Sequence, residues 1–136
     1  MKNQEERITA MATIMVRARR ANEDVGELVA AALAAAAKKL GGIDALVAGR
    51  PGSWEADIII RMASAGGDGN PTRIKALTSL FVAMGKAKED GGDVLSQAMS
   101  QAVDRLGGLD QFAGASYSWY WDLTNIGRQY STHWQD

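Results

Sequence analysis

Two stretches decide the fold: Asp24–Asp44, DVGELVAAALAAAAKKLGGID, and Asp90–Asp110, DGGDVLSQAMSQAVDRLGGLD. Each opens on an aspartate followed three residues later by a second carboxylate, which is the pattern of a helix N-cap. Apolar residues then recur at three- and four-residue spacing, as on the buried face of a helix. Each helix pattern ends on a double glycine, since glycine accepts the left-handed conformation that closes a helix. Both stretches are therefore predicted to be a helix followed by a turn.

The likeness of these two stretches belongs to an internal duplication. Shifting the sequence by 66 positions, with a one-residue deletion after Asp44, gives about 19 identities in about 57 aligned pairs. The sequence therefore predicts two tandem pseudo-symmetric helical repeats, repeat 1 (1–65) and repeat 2 (71–136), packed into one compact domain. Between them, residues 66–70 (GGDGN) are typical of a flexible connector. Asn70 with the following proline is typical of an N-cap and first helical position.

Each repeat is predicted to contain two longer helices, a short helical turn and a fourth helix, here named helices A and B, turn C and helix D. Turn C is predicted at Ile43–Ala48 and Leu109–Ala113, and helix D begins at Ser53 or Ser118. No segment alternates polar and apolar residues as a strand would, so the fold class is all-α. The predicted core stripes are Ile8, Met11, Met15 and Ala18 with Ile74, Leu77, Phe81 and Met84 on helix A, and Leu28, Val29, Ala32, Leu33, Ala36 and Leu40 with Val94, Leu95, Ala98, Met99, Ala102 and Leu106 on helix B.

Composition limits the class of protein further. The 136 residues include 15 Lys and Arg against 16 Asp and Glu, 46% hydrophobic residues and no cysteine. A chain of this length can bury a core without disulfides or metal. The apolar run that contains Ala30–Ala37 extends only from Leu28 to Ala37, far shorter than the roughly 20 residues of a membrane span. The first seven residues are polar, unlike a secretory signal, so we expect a cytoplasmic protein.

The two copies differ on the side of helix B opposite the core stripe. Copy one has small apolar residues there, where copy two has serine and glutamine. Small residues let a second helix approach closely, so this face is a candidate docking surface, either for copy two or for a second chain. Alanine is also the best helix former and tolerates exposure, which explains the same residues without any partner. The residues of this predicted alanine face are Ala30, Ala31, Ala34 and Ala35, against Ser96, Gln97, Ser100 and Gln101.

The two copies also differ in helix D, where copy two gains aromatic residues. Tyr117, Tyr120 and Trp121 replace a glycine, a glutamate and an alanine of copy one, and their spacing places them on one face beside Thr124. Rigid amphipathic rings bury much area at low entropic cost, so this face is a second candidate partner-binding surface. The alternative interpretation is that the rings fill the groove between the copies.

A DNA-binding regulator is the first alternative function. Turn C followed by helix D has the outline of a helix-turn-helix, and one basic cluster accompanies it. The net charge of −1 and the acidic start of the first helix D argue against phosphate binding. A charged run of this kind is also typical of a solvated helix face. The candidate nucleic-acid-binding residues are Arg17, Arg19, Arg20, Lys38 and Lys39.

The sequence offers no candidate residues for a catalytic, cofactor-binding or metal site. His133 is the single histidine, so Ser53 and Ser118 lack a nearby base and are better explained as helix caps. No metal-ligand or nucleotide-binding pattern is present, and we predict no cofactor. A small hydrolase with a carboxylate site is the second alternative. The main expectation is a non-enzymatic helical interaction or regulatory protein that binds another protein or a second copy of itself, as in a homodimer, through apolar helix faces.

Overall fold

The structure, a computed structural model, describes residues 2–47 and 54–114. Within these ranges the chain forms helices joined by short turns, and no strand is present. The prediction of an all-α fold is confirmed for these ranges. In chain order the elements are α1 (Lys2–Arg20), α2 (Val25–Leu40), the 3-10 turn η1 (Ile43–Leu46), α3 (Trp54–Ala65), α4 (Pro71–Lys86), α5 (Gly91–Leu106) and α6 (Leu109–Ala113).

The helix ends are fixed by local chemistry, as the sequence predicts. The Asp24 carboxylate accepts a hydrogen bond from the third backbone N–H of α2, and Asp90 does the same for α5. Gly41 and Gly107 end these helices with φ of 88° and 90°, in the left-handed region that favours glycine. The Asn70 side chain accepts from the first N–H groups of α4. These caps and stops confirm the boundaries predicted for α2 and α5 and the start predicted for α4.

α1 and α4 run in opposite directions, and an ion pair joins them at each end. Arg7 near the start of α1 binds Glu89, which follows the end of α4. Arg73 near the start of α4 binds Glu23, which follows the end of α1, with Nε 2.7 Å from Oε1. Both arginines contact both oxygens of their carboxylate, and all four side chains are mostly buried. Each residue of one pair lies 66 positions from its counterpart in the other.

The long helices pack across the two halves of the chain. α2 packs mainly on α4, α5 packs mainly on α1, and α3 lies against α2 and α5. The most extensive contact of each of the four long helices α1, α2, α4 and α5 is therefore with a helix of the other half, around a shared core. That core includes Met11, Met15, Leu33, Phe81, Met99 and Phe112, which are almost fully buried.

The predicted core stripes are confirmed with three exceptions. Ile74, Leu40 and Leu106 are only partly buried, because each lies near a helix end. The first helix D, observed as α3, buries its branched apolar face as predicted, with Ile59 fully enclosed. The second helix D and the Ser53 and Ser118 caps lie outside the described residues.

The connector is packed against the start of α2, where the sequence predicts a flexible link. Gly67 lies so close to the backbone carbonyl of Glu27 that no Cβ fits there. The N–H of Asp68 donates to the Glu27 carboxylate at 3.1 Å, and Gly69 lies against the Leu28 side chain. The Glu27 carboxylate therefore holds the connector against the helix.

Candidate partner-binding groove

A groove of about 370 Å³ lies between α2 and α4. Ala35 and Ile74, both partly buried, and the buried Thr78 lie along it. The Thr78 hydroxyl donates to the Ile74 carbonyl at 2.7 Å, so the methyl group rather than an unpaired hydroxyl contributes to the surface. The inner surface of this α2–α4 groove is therefore largely apolar.

Two lysines border the α2–α4 groove. Lys39 lies one helical turn beyond Ala35 on α2, and Lys75 lies next to Ile74 on α4. Both side chains are exposed, and within the described residues neither has a carboxylate partner. Asp68 also borders the groove, but one of its carboxylate oxygens accepts the N–H of Gly69 at 2.8 Å. The groove thus presents two positive charges without carboxylate partners among the described residues beside an apolar surface, with the Asp68 carboxylate of the connector at its border.

The predicted alanine face contributes to this groove through Ala35. Ala30 is fully buried within the chain and is therefore not on an outer surface, and α2 packs on both α3 and α4. Ala31 and Ala34 are partly buried. The expected contrast with copy two is wrong for Ser96 and Ser100, which are buried in α5. The Ser96 hydroxyl is accommodated because it donates to the Gly92 carbonyl of the preceding turn at 2.7 Å.

The predicted basic cluster does not form one surface. Arg17 and Arg20 lie at the end of α1, whereas Lys38 and Lys39 lie near the far end of α2. Fourteen residues of helix separate Lys39 from the start of α2, which is roughly 20 Å along its axis. These four residues are exposed, but they belong to two separate regions.

Arg19, one residue of the predicted basic cluster, makes hydrogen bonds within the fold. Its Nε donates to the Gln111 carbonyl of α6 at 2.9 Å, and another guanidinium nitrogen donates to the Glu23 carbonyl at 3.0 Å. A Cβ at Gly114 would lie within 3 Å of the same guanidinium. Arg19 therefore attaches α6 to the end of α1 and does not face a nucleic-acid backbone freely.

The packing and charge of α3 do not support the helix-turn-helix interpretation. Its apolar side packs on α2 and α5, and its exposed Asp57 forms an ion pair with Arg61 at 3.3 Å. An exposed carboxylate near the start of a recognition helix would face phosphates with the wrong charge.

A second hollow, of about 530 Å³, borders the first turns of α1. Its described residues, here named the acidic face, are Glu5, Glu6, Thr9 and Ala10. Both glutamates are exposed, and within residues 2–47 and 54–114 neither has a basic partner. The acidic face and the α2–α4 groove thus carry opposite charges.

Sequence analysis did not single out Lys75 or the acidic face. The available signal was the 66-residue alignment, because Lys75 corresponds to Thr9 and Pro71 corresponds to Glu5. The predicted aromatic face of Tyr117, Tyr120, Trp121 and Thr124 lies outside the described residues.

The described part of the chain offers little support for a metal site or a membrane-spanning segment. It contains no group of three or more His, Cys, Asp or Glu residues placed to hold a metal ion. None of its helices has both the length and the apolar character needed to cross a membrane. No protein-family model, curated protein or solved structure matches the chain.

Proposed function

We propose that this protein is a non-enzymatic interaction protein whose α2–α4 groove binds an acidic amphipathic segment of a protein partner. The observation that carries the proposal is the groove itself, where apolar Ala35 and Ile74 lie beside the unpaired Lys39 and Lys75. Its volume of about 370 Å³ is near the lower end for ligand pockets. That size suits a few side chains from one face of a helix rather than a large cofactor.

Burial of apolar side chains would supply most of the affinity. A partner helix places residues i and i+4 on one face, so two small or branched side chains can enter the groove together. The partly buried Ile74 and Ala35 lose their remaining water contact on binding, which is favourable in proportion to the apolar area covered. A polar or extended segment would leave this surface incompletely covered.

The two lysines would supply orientation and specificity. Each can lay its aliphatic stem along the groove and hold its ammonium group at the edge, where partner carboxylates would lie. Exposed charge pairs add little affinity on their own, but complementary charge speeds association and disfavours basic competitors. The fitting partner is therefore an acidic helix with a narrow apolar face.

The scaffold that carries the groove is, we propose, two tandem pseudo-symmetric repeats related by an approximate twofold axis. Three features support this. The ion pairs of Arg7 with Glu89 and of Arg73 with Glu23 exchange under a shift of 66 positions. The packing of α2 on α4 corresponds to that of α5 on α1, and the cap and stop geometries of α2 and α5 agree closely.

Nuclear magnetic resonance with two matched peptides tests the binding proposal. One is a short amphipathic helix of leucine, alanine and glutamate, and the other replaces every glutamate with lysine. We expect the acidic peptide to shift the amide signals around Ala35, Lys39 and Ile74 at concentrations up to millimolar. We expect the basic peptide to cause no shifts there.

Two charge-reversed variants serve as a matched set. Lys39→Glu with Lys75→Glu should abolish the acidic-peptide shifts, whereas Arg17→Glu with Arg20→Glu changes the same charge elsewhere and should retain them. Equal binding of both peptides, no binding at millimolar concentration, or shifts away from the groove would refute the proposal.

A further inference from the structure

We propose that the segment bound in the α2–α4 groove is the acidic face of a second copy of this chain, so that the protein associates head to tail. This inference rests on the proposed function of the groove and names its partner. Glu5 and Glu6 of one copy would lie against Lys39 and Lys75 of the next.

Charge complementarity is the first argument for this partner. The acidic face offers two exposed glutamates without basic partners, and the groove offers two exposed lysines without carboxylate partners, within the described residues. Two pairs of unpaired, opposite charges therefore occur on one chain. Between copies they can neutralise each other, and between like surfaces they repel.

The side chains between these charges also match. Thr9 and Ala10 follow the glutamates on α1, and both are small, so α1 can approach the groove closely. The facing surface is the partly buried pair Ala35 and Ile74. A small-residue helix face against a narrow apolar groove permits the close approach that tight helix packing needs.

The two surfaces are counterparts that diverged in charge. Under the 66-residue shift, Lys75 corresponds to Thr9, and Pro71 corresponds to Glu5. Lys39 corresponds to Arg105, whose guanidinium donates to the Thr13 hydroxyl at 2.9 Å and is therefore already engaged by α1. One surface is thus basic and unpaired, while its counterpart is acidic.

A single copy cannot place its own acidic face in its own groove. Arg7, beside the acidic face, binds Glu89 beyond the end of α4, whereas the groove lies along the first turns of α4, from Pro71 to Thr78. α4 is 16 residues long, which is about 24 Å. Pro71 at the start of α4 is therefore distant from Arg7, and no α1 residue is among the described residues that line the groove, so the contact between the two surfaces forms between molecules.

Such a contact is heterologous, because different surfaces of the two copies meet. A pair of copies retains one free groove, on one copy, and one free acidic face, on the other, so association continues into longer chains or closes into a ring. The expected signature is an average mass that rises steadily with concentration and falls with added salt, since the charges are exposed.

The experiment is sedimentation velocity on the full chain and on charge-reversed variants, with circular dichroism to verify folding. Lys39→Glu with Lys75→Glu makes both surfaces acidic, and Glu5→Lys with Glu6→Lys makes both basic. We expect each variant alone to associate at least roughly tenfold more weakly than the native chain. An equimolar mixture of the two should regain association, because each groove then meets an oppositely charged face.

Two further variants control for general charge effects. The chain carrying all four reversals should associate with itself again, whereas Arg17→Glu with Arg20→Glu should associate like the native chain. A native chain that remains monomeric at low salt, or a mixture that fails to regain association, would overturn the inference.

The peptide experiment separates this failure from failure of the proposed function. A monomeric chain whose groove still binds the acidic peptide would refute self-association and leave the groove function standing. A monomeric chain that also fails to bind the acidic peptide would refute both self-association and the groove function.

Discussion

Glu23 is the residue at which the end of α1, the start of α4 and the connector meet. Its carboxylate accepts hydrogen bonds from Arg73 and from the Asn70 side chain. The Arg73 hydrogen bond is the main cause that lowers the pKa of Glu23 from its ordinary value near 4.5, against the opposing effect of burial. The folded state therefore holds this proton less tightly than the unfolded chain does. The resulting stabilisation is present above pH 4.5 and is lost as the pH falls through the lowered pKa.

Replacement of this carboxylate should change how stability depends on pH. We expect Glu23→Gln to lower the free energy of unfolding by about 1–2 kcal/mol at pH 7, because Arg73 loses a charged acceptor. The difference from the native chain should shrink below pH 4.5, where the native contact also fails. Urea unfolding from pH 7 to pH 3 measures this. The matched control is Asp44→Asn, an exposed carboxylate outside both proposed surfaces, whose curve should run parallel to the native one. A constant deficit for Glu23→Gln at every pH would contradict the account.

Considering single elements, the residues at which the helices begin and end could be predicted from the sequence, whereas the contacts of each helix with other parts of the fold could not. The Asp24 cap and the Gly41 stop depend on atoms a few residues away, so they could be predicted locally. The burial of Ala30 depends on packing by other parts of the chain, and the role of Arg19 depends on α6, which lies about 90 residues further along the chain. The groove was missed for the same reason, because Lys39 and Lys75 come from different helices.

The start of α5 shows a limit of comparing the two repeats. Gly91 corresponds to the buried Val25, so the alignment alone predicts that a side chain fits at Gly91. In the structure a Cβ on Gly91 would overlap the backbone carbonyl oxygen of Leu46 in η1. A backbone carbonyl cannot move aside as a flexible side chain can. The close packing of η1 on α5 therefore requires glycine at this position.

This contact gives a prediction about the packing of α5. We expect Gly91→Ala to lower the free energy of unfolding by about 2 kcal/mol, because α5 or η1 must shift to admit the methyl group. Urea unfolding at neutral pH measures the change. Ser79→Ala on the exposed side of α4 is the control and should change stability by less than about 0.5 kcal/mol. An equally small effect of Gly91→Ala would mean that η1 shifts at little cost in free energy, which would contradict the requirement for glycine.

At the scale of the whole molecule, the packing of each half on the other makes folding a joint event. α2 depends on α4, α5 depends on α1, and an ion pair closes each end of the α1 and α4 pair. A separated first half would expose Leu33 and Met15, and a separated second half would expose Phe81 and Met99, all of which are almost fully buried in the intact chain. Exposure of so much apolar surface opposes a stable isolated half.

Separate halves should therefore fold only together or as pairs. Chains cut between Ala65 and Gly66 should each show little helical signal as monomers by circular dichroism, and mixing them should restore it with a mass equal to one half of each kind. The isolated first half can also fold as a homodimer, because Arg7 of one copy can bind Glu23 of the other, as it binds Glu89 in the intact chain. A helical homodimer of that half would thus agree with the proposed repeats, and Glu23→Arg should abolish it by placing like charges together. A stably helical monomer of either half would contradict joint folding, since α2 or α5 would then be stable without the helix it packs on.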